Sequence, residues 1–542
     1  MEEIILKHAL SNAVKFNGSA SVNAVLGKLF SEKPDLRGNK HAVDLVIKTV
    51  NDVNAMSLDD QRLKLAEFSV LPAKKERSRE IPDLSVKAKV VMRFAPNPNG
   101  ALHLGHCRQA LWNWFFAKKY NGTYILRFDD TDPKVKVPMK EAYKWIKDDM
   151  RWLGIKPKKT AIQSKRLKIY YKYAEKLIKL GHAYVCTCDP EAWRELIKKR
   201  LGCDCRALSN DEQFKRWKQM FAAFKEGSAV LRIKTDLEHP DPSIRDWPAF
   251  RIVDKPRHPL TKAVVWPLLN FASAIDDYEF KVTHILRGID LSVSDVRQKY
   301  IYDYFGWKYP FTMYSGKLLI SGIKSTSEIK KLIEEKKLTG WDDVSLGTIK
   351  ALKRRGFQKE AIIELIKDIG IGRNDIKVSL DNLAAFNKDI VEKTSSRYFF
   401  VENPVTVKIR NAPGLTVKIP LHPDYKKRGN RVFKTLDEFY ISDKLEPGRV
   451  YRLMHLFNFK DNEFLSKEHD PGLGAKIIHW LPAHAKHFHA EVLMPDNSIK
   501  KGIVEPAANK LKIDSVCQME RFAFLRLESR KKGRLFFVYA HR

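Results

Sequence analysis

Residues 90 to 128 limit the possible folds more than any other stretch of the chain. Val90-Val91-Met92-Arg93-Phe94 is a short apolar run with β-branched residues, the pattern of a buried strand. Ala95-Pro96-Asn97-Pro98-Asn99-Gly100 then turns the chain. Ala110, Leu111, Trp114 and Phe115 follow at helical spacing, and Tyr124-Ile125-Leu126-Arg127-Phe128 reads as a second strand. A further amphipathic helix is predicted over 138–153, stopped by Gly154. Strand, helix, strand, helix implies a parallel sheet with crossover connections.

The turn between the first strand and its helix carries the strongest chemical signal. It reads Pro96-Asn97-Pro98-Asn99-Gly100-Ala101-Leu102-His103-Leu104-Gly105-His106. In open α/β sheets ligands bind at the carboxyl ends of the strands. A helix N-terminus there offers free N–H groups and a positive dipole end, which favours phosphate. Gly105 admits a close approach to the backbone. His103 and His106 are placed to donate hydrogen bonds to oxygens that gain charge.

The rest of the chain divides by texture. Residues 1–72 read as helical, with Ala9, Leu10, Ala13 and Val14 in register, then Val43, Val46, Ile47 and Val50. Residues 73–89 are charged and aperiodic, a linker. A strong helix is predicted over 165–181. Mixed texture over 183–262 suggests an inserted module, after which Val264-Val265-Trp266 resumes the first pattern. Residues 325–395 look helical and basic. From about 400 the pattern alternates. Val405, Val407 and Ile409 before Asn411-Ala412-Pro413-Gly414, and Leu415, Val417 and Ile419 after it, predict one hairpin. Segments 519–528 and 534–541 predict another. Short strands with Gly/Pro turns suggest a barrel or sandwich.

These motifs resemble class I aminoacyl-tRNA synthetases. PNPNGALHLGH is similar to their HIGH signature. RFAPNPNGALHLGH with LRFDDTDP at 126–133 is similar to the glutamyl members, where glutaminyl members usually read Asp-Thr-Asn-Pro in place of Asp130-Thr131-Asp132-Pro133. The helical start and β-rich end are similar to the archaeal and eukaryotic type. The resemblance implies a multidomain α/β fold with a Rossmann-like parallel-sheet catalytic core, an inserted acceptor-end module, a helical N-terminal extension and a C-terminal β-barrel anticodon-binding region. The expected boundaries are 1–88 for the extension and linker, 89–182 for the first half of the core and 183–262 for the insertion. The second half of the core is expected over 263–324, a helical stem-contact domain over 325–397 and the barrel over 398–542.

The resemblance also implies chemistry: glutamate is activated with ATP and Mg²⁺, then transferred to tRNA for glutamate, with tRNA for glutamine as a further acceptor left open. Its alternatives are glutamine charging and a non-catalytic tRNA-binding paralogue. The nucleotide would meet residues 96–106 and a KMSKS-like loop, of which Lys324, Ser325 and Ser327 supply a cation and hydroxyls. His103, His106 and Lys324 would carry the catalysis. Where the family places its second lysine this chain has Thr326. Arg93 and Arg287 would bind the glutamate carboxylate, Asp129 the amino group, and Asn97 a further polar contact. Archaeal relatives read Tyr-Pro-x-Tyr-Asp-Phe-Ala where this chain has Trp266-Pro267-Leu268-Leu269-Asn270-Phe271-Ala272, so an expected tyrosine hydroxyl is Leu269. For Asp276, Asp277 and Arg287 the alternative to a substrate-binding role is an ion-paired sheet edge.

Cys186-x-Cys188 and Cys203-x-Cys205 hold four of the six cysteines. Four thiolates suit tetrahedral zinc, while four packed reduced thiols are the alternative. Sparse cysteine and the lack of a basic-then-apolar leader fit a cytoplasmic protein. No apolar run reaches the roughly 18 residues a membrane helix needs. The net charge of +34, from 99 Lys+Arg against 65 Asp+Glu, points to a polyanionic partner such as nucleic acid. The chain is expected to act as a monomer.

Overall fold

The computed structural model describes residues 2–16, 18–33, 36, 38–67, 81–84, 89–320 and 325–542. Most of the expected linker, and Lys324, fall outside the described residues. Two compact units result, 1–80 and 81–542.

The first unit is four helices, α1 (Glu2–Lys15), α2 (Val22–Glu32), α3 (Lys40–Asn54) and α4 (Leu58–Glu67). Ile5, Ala9, Leu10, Ala13, Val25, Leu29, Val46 and Val50 form its core. Ile47 was expected in that stripe but lies 41% exposed. On a 3.6-residue period it sits a quarter-turn beyond Val46, off the buried face.

The second unit starts with β1 (Val91–Phe94), α5 (Leu104–Lys119), β2 (Thr123–Phe128), α6 (Ala142–Trp152) and β3 (Lys159–Ile162). The strands run parallel in the order β1-β2-β3. Then come α7 (Leu167–Lys179), β4 (Ala183–Cys186), α8 (Pro190–Lys198), α9 (Asp204–Ala207), α10 (Asn210–Gln219), β5 (Val230–Ile233), β6 (Pro248–Ile252) and β7 (Val265–Pro267). β4 to β7 form an antiparallel sheet in sequence order. The strand expected to resume the core near 264–266 therefore completes the sheet of the insertion: its backbone pairs with β6. An apolar run does not name its neighbour.

Next are α11 (Leu269–Glu279), β8 (His284–Gly288), α12 (Ser292–Tyr304), β9 (Phe311–Ser315) and β10 (Leu318–Ile320). β8 and β9 are parallel. Thr283 N–H donates to Val91 C=O at 3.0 Å and Thr283 Oγ1 accepts from Val91 N–H, so this pair abuts β1. Then follow α13 (Thr326–Glu334), α14 (Ile349–Arg355), α15 (Lys359–Ile369), β11 (Ile376–Val378) and α16 (Leu380–Val391). β11 was not expected among these helices; it pairs with β10.

The C-terminal part holds a seven-stranded sheet whose two outer strands, Arg397–Tyr398 and Phe400–Glu402, are adjacent in the chain. The sheet therefore curls almost shut, barrel-like. The second predicted hairpin is present. Ala523–Lys531 pairs with Arg534–His541, joined by Lys532 and Gly533, both at positive φ, the conformation a right-twisted hairpin prefers. The first is absent. Val405–Lys408 pairs with Glu438–Ile441, and Thr416–Pro420 with Asn430–Lys434. Alternation states which side chains face inward and leaves the partner strand open.

Candidate active site

The turn after β1 is held by its own carbonyls. Asp129 N–H donates to Pro96 C=O (3.1 Å) and Met139 N–H to Pro98 C=O (2.8 Å). Asn97 Nδ2 donates to Lys136 C=O at 3.3 Å, while its Oδ1 is buried with no hydrogen-bond partner. Pro96, Pro98, Gly100, Ala101, Leu102 and Leu104 are buried; Asn97, Asn99, His103, Gly105 and His106 are half-exposed.

His103 caps α5. Its Nδ1 accepts from Gly105 N–H (3.1 Å), and His106 Nδ1 accepts from His103 N–H (3.3 Å), a reciprocal capping box. The two rings stack with centroids 3.8 Å apart. A side chain at Gly105 would stand 2.9 Å from His103 Cε1, so glycine is what lets that ring fold back. Leu104 N–H donates to Gly347 C=O. The N–H groups expected to be free for phosphate are thus engaged within the protein, because the signature histidines are themselves good acceptors. The positive end of the helix dipole lies at this turn, and each Nδ1 acting as acceptor fixes the Nε2–H tautomer of both histidines. Burial lowers His103 to about 4. Burial, then the neighbouring His103, holds His106 well below the usual imidazole range. Both rings are neutral donors at physiological pH.

Ser325 spends its hydroxyl as the N-cap of α13, accepting from Glu328 N–H at 3.2 Å. Ser325 and Ser327 are exposed.

Beside the turn lies a buried charge network. Arg93 on β1 donates to both oxygens of Asp277 (Nε 3.2 Å, Nη2 3.4 Å). Arg127 on β2 meets Asp277 Oδ1 at 2.6 Å and grips Asp129 with Nε and Nη2. Ser273 Oγ donates to Asp129 Oδ2 at 3.2 Å. Asp276 takes Arg166 Nε (2.8 Å) and Tyr170 OH (2.8 Å). Arg287 pairs with Asp295 at 2.9 Å and donates to Gln298, leaving its buried Nε without a partner. Four guanidinium groups face four carboxylates, which is how charge survives burial. Burial works against ionised Asp277, but Arg93 and Arg127 outweigh it and hold it below the usual range. Burial leaves Asp129 raised despite Arg127.

Arg93, Asp129 and Arg287, all named from sequence, are therefore brought to one region. Asp276 and Asp277 lie on helix α11, not on a sheet edge. Sequence reasoning named Asp277 as ion-paired but missed its partner Arg127, and Ser273 beside Asp129. The available signal was an arginine in the centre of an apolar strand. Leu269, at the start of α11, is 46% exposed, and Asn270 Oδ1 beside it is buried and unpartnered. Asp132 accepts the N–H groups of Lys134, Val135 and Lys136 and pairs with Arg251 at 2.7 Å, tying this loop to the insertion.

The four cysteines converge. Cys186 ends β4, Cys203 caps α9, and the sulfurs of Cys186, Cys188, Cys203 and Cys205 lie within 4.8 Å of one another. Cys186 and Cys203 are 3.9 Å apart, Cys188 and Cys205 3.7 Å. Zinc–sulfur bonds of about 2.3 Å would set sulfurs roughly 3.8 Å apart, so the donor set fits a tetrahedral ion. The Cys203 contact draws Cys186 below the usual thiol range.

Comparison with known proteins decides the kinship. The model of the catalytic domain of class I tRNA synthetases of the E and Q type matches residues 89–393, and two anticodon-binding domain models of the same type match 395–473 and 477–528. The chain belongs to this synthetase family. Among curated relatives, the glutamate–tRNA ligases of Pyrococcus furiosus (46% identical) and Pyrococcus abyssi (47%) align over all of both chains. That of Methanocaldococcus jannaschii aligns at 45% over the same full extent. In this synthetase chain the catalytic model spans the parallel strands, the insertion and the helices to α16, and no described helix is long and apolar enough to cross a membrane.

Proposed function

We propose that this chain is a glutamate–tRNA ligase. The observation that carries the reading is 45–47% identity along the whole chain to archaeal glutamate–tRNA ligases, with all of each relative covered. In the first step a glutamate carboxylate oxygen bonds to the α-phosphorus of Mg²⁺-bound ATP, and pyrophosphate leaves. In the second, a ribose hydroxyl of the terminal tRNA adenosine attacks the acyl carbonyl, and AMP leaves.

The site residues act by position and field, with no protein nucleophile. The neutral Nε2–H groups of His103 and His106 donate to phosphate oxygens. Because neither ring is charged, neutralisation of the triphosphate falls to the α5 dipole, the metal ion that travels with ATP, and Lys324. Arg93 and Arg287 sit beside paired carboxylates with donor capacity left over, Arg287 through its unpartnered Nε. A glutamate side chain accepts from both, and a neutral glutamine cannot satisfy the same donors. Asp129 receives the substrate ammonium group. Zn²⁺ on the four cysteines would brace the insertion, locking β4 to α9.

The test is aminoacylation with labelled glutamate and glutamine against separate tRNA species for the two amino acids. Charging of tRNA for glutamate with glutamate is expected, and the second tRNA reports acceptor range. Exclusive charging with glutamine, or none with either, would overturn the reading.

A further inference from the structure

Gly100 lies in a clamp. A methyl group built on it would stand 2.3 Å from Cη2 of Trp341 and 2.6 Å from Cγ2 of Thr326. Ala101, the next residue, packs in one buried cluster with Ile329 of α13, Trp341, Leu346 and Ala351. The Trp341 loop is tied in turn to the signature segment. Thr348 Oγ1 donates to Trp341 C=O (2.6 Å), and Ile349 N–H to Leu102 C=O (2.8 Å). The Cβ-facing side of Gly100 is thus closed by the indole together with the first residue of α13. Thr326 reaches it through a methyl group, at the position where the family pattern places a lysine.

We propose that Thr326 is a positioning residue: its Cγ2 methyl, with the Trp341 ring, fixes Gly100 and so sets the 96–106 turn against the start of α13. A β-branched side chain suits this because its χ1 is stiff. A lysine there would end in a solvated, flexible amine. The proposal rests on the reading of 96–106 as the nucleotide site and assigns the Thr326 hydroxyl no part in binding phosphate.

Two variants separate methyl from hydroxyl. Thr326→Val keeps the methyl and removes the hydroxyl, and Thr326→Ser does the reverse. In ATP-dependent aminoacylation, Thr326→Val is expected within twofold of wild type. Thr326→Ser is expected to raise KM for ATP about fivefold, the scale of one lost buried methyl, with kcat changed less than twofold. Amide hydrogen exchange of 98–106 gives a second readout that needs no activity: faster in the serine variant, unchanged in the valine variant. An impaired valine variant beside a normal serine variant would assign the role to the hydroxyl and overturn the proposal. Two variants that match wild type, or that suffer equally, would overturn it as well. A wild-type chain that fails to charge tRNA with glutamate would sink the functional reading, while the exchange comparison would still decide the role of Thr326.

Discussion

Arg127 holds Asp129 in a two-pronged grip, Nε to Oδ1 at 2.6 Å and Nη2 to Oδ2 at 3.1 Å. The residues are two apart, so on an extended chain they share a face. Arg127 also reaches Asp277, more than a hundred residues on. Removing it takes the paired cation from buried Asp129 and leaves buried Asp277 to Arg93 alone. Arg127→Met is expected to lower unfolding free energy by about 3–5 kcal/mol, measured by urea titration. A loss below about 1 kcal/mol would mean that the network relaxes around the gap.

The histidine pair should act without titrating near neutrality. His106→Ala is expected to lower tRNA-dependent pyrophosphate exchange at least about tenfold, the cost of one transition-state donor. In wild type the rate should show no step near pH 6.5. Stability carries the sign of the same shift. The folded value for His103, about 4, lies below that of the free imidazole, so between the two the unfolded chain binds the proton. Stability is therefore lost as pH falls from 6.5 toward 4, by up to about 3 kcal/mol. His103→Gln should flatten that slope in urea titrations at a series of pH values.

Asp149 on α6 works in the opposite sense. It is buried, its Oδ2 has no hydrogen-bond partner, and burial pushes it up to about 7 against the pull of Lys350 and a hydrogen bond from Leu102 N–H. Between the free carboxylate value and 7 the folded chain keeps a proton that the unfolded chain releases. Stability falls as pH rises through that window, by as much as about 4 kcal/mol. Asp149→Asn, which retains an acceptor for Leu102, should be more stable than wild type at pH 8 and equal to it near pH 4. No gain at pH 8 would show a charge-compensated carboxylate.

The cysteine cluster predicts metal content. Purified protein should carry one Zn²⁺ per chain by emission spectrometry, and Cys203→Ser should lose most of it. Chelation should lower the melting temperature and raise the count of titratable thiols by four. A metal-free chain with unchanged stability would favour four packed thiols.

Affinity for tRNA should fall at least about tenfold between 50 and 200 mM salt, since a chain of net charge +34 displaces counterions when it binds phosphates. A flat profile would argue for recognition without backbone contacts.

Sequence by itself determined the local elements and the turn after the first strand. Val91–Phe94, the turn through His106 and helix α5 follow from periodicity, turn residues and capping, all effects that act over a few residues. It named Arg93, Asp129, Arg287 and the four cysteines by type and place. Tertiary structure alone decided which charges meet. Arg127 and Asp277 are joined by the packing of α11 onto a strand far earlier in the chain, and no spacing rule spans that distance. It also decided that Val405–Lys408 pairs with Glu438–Ile441 and not with its sequence neighbour. Alternation and helix period fix the facing of side chains; partners are chosen by burial and charge balance, which exist only once distant segments are packed together.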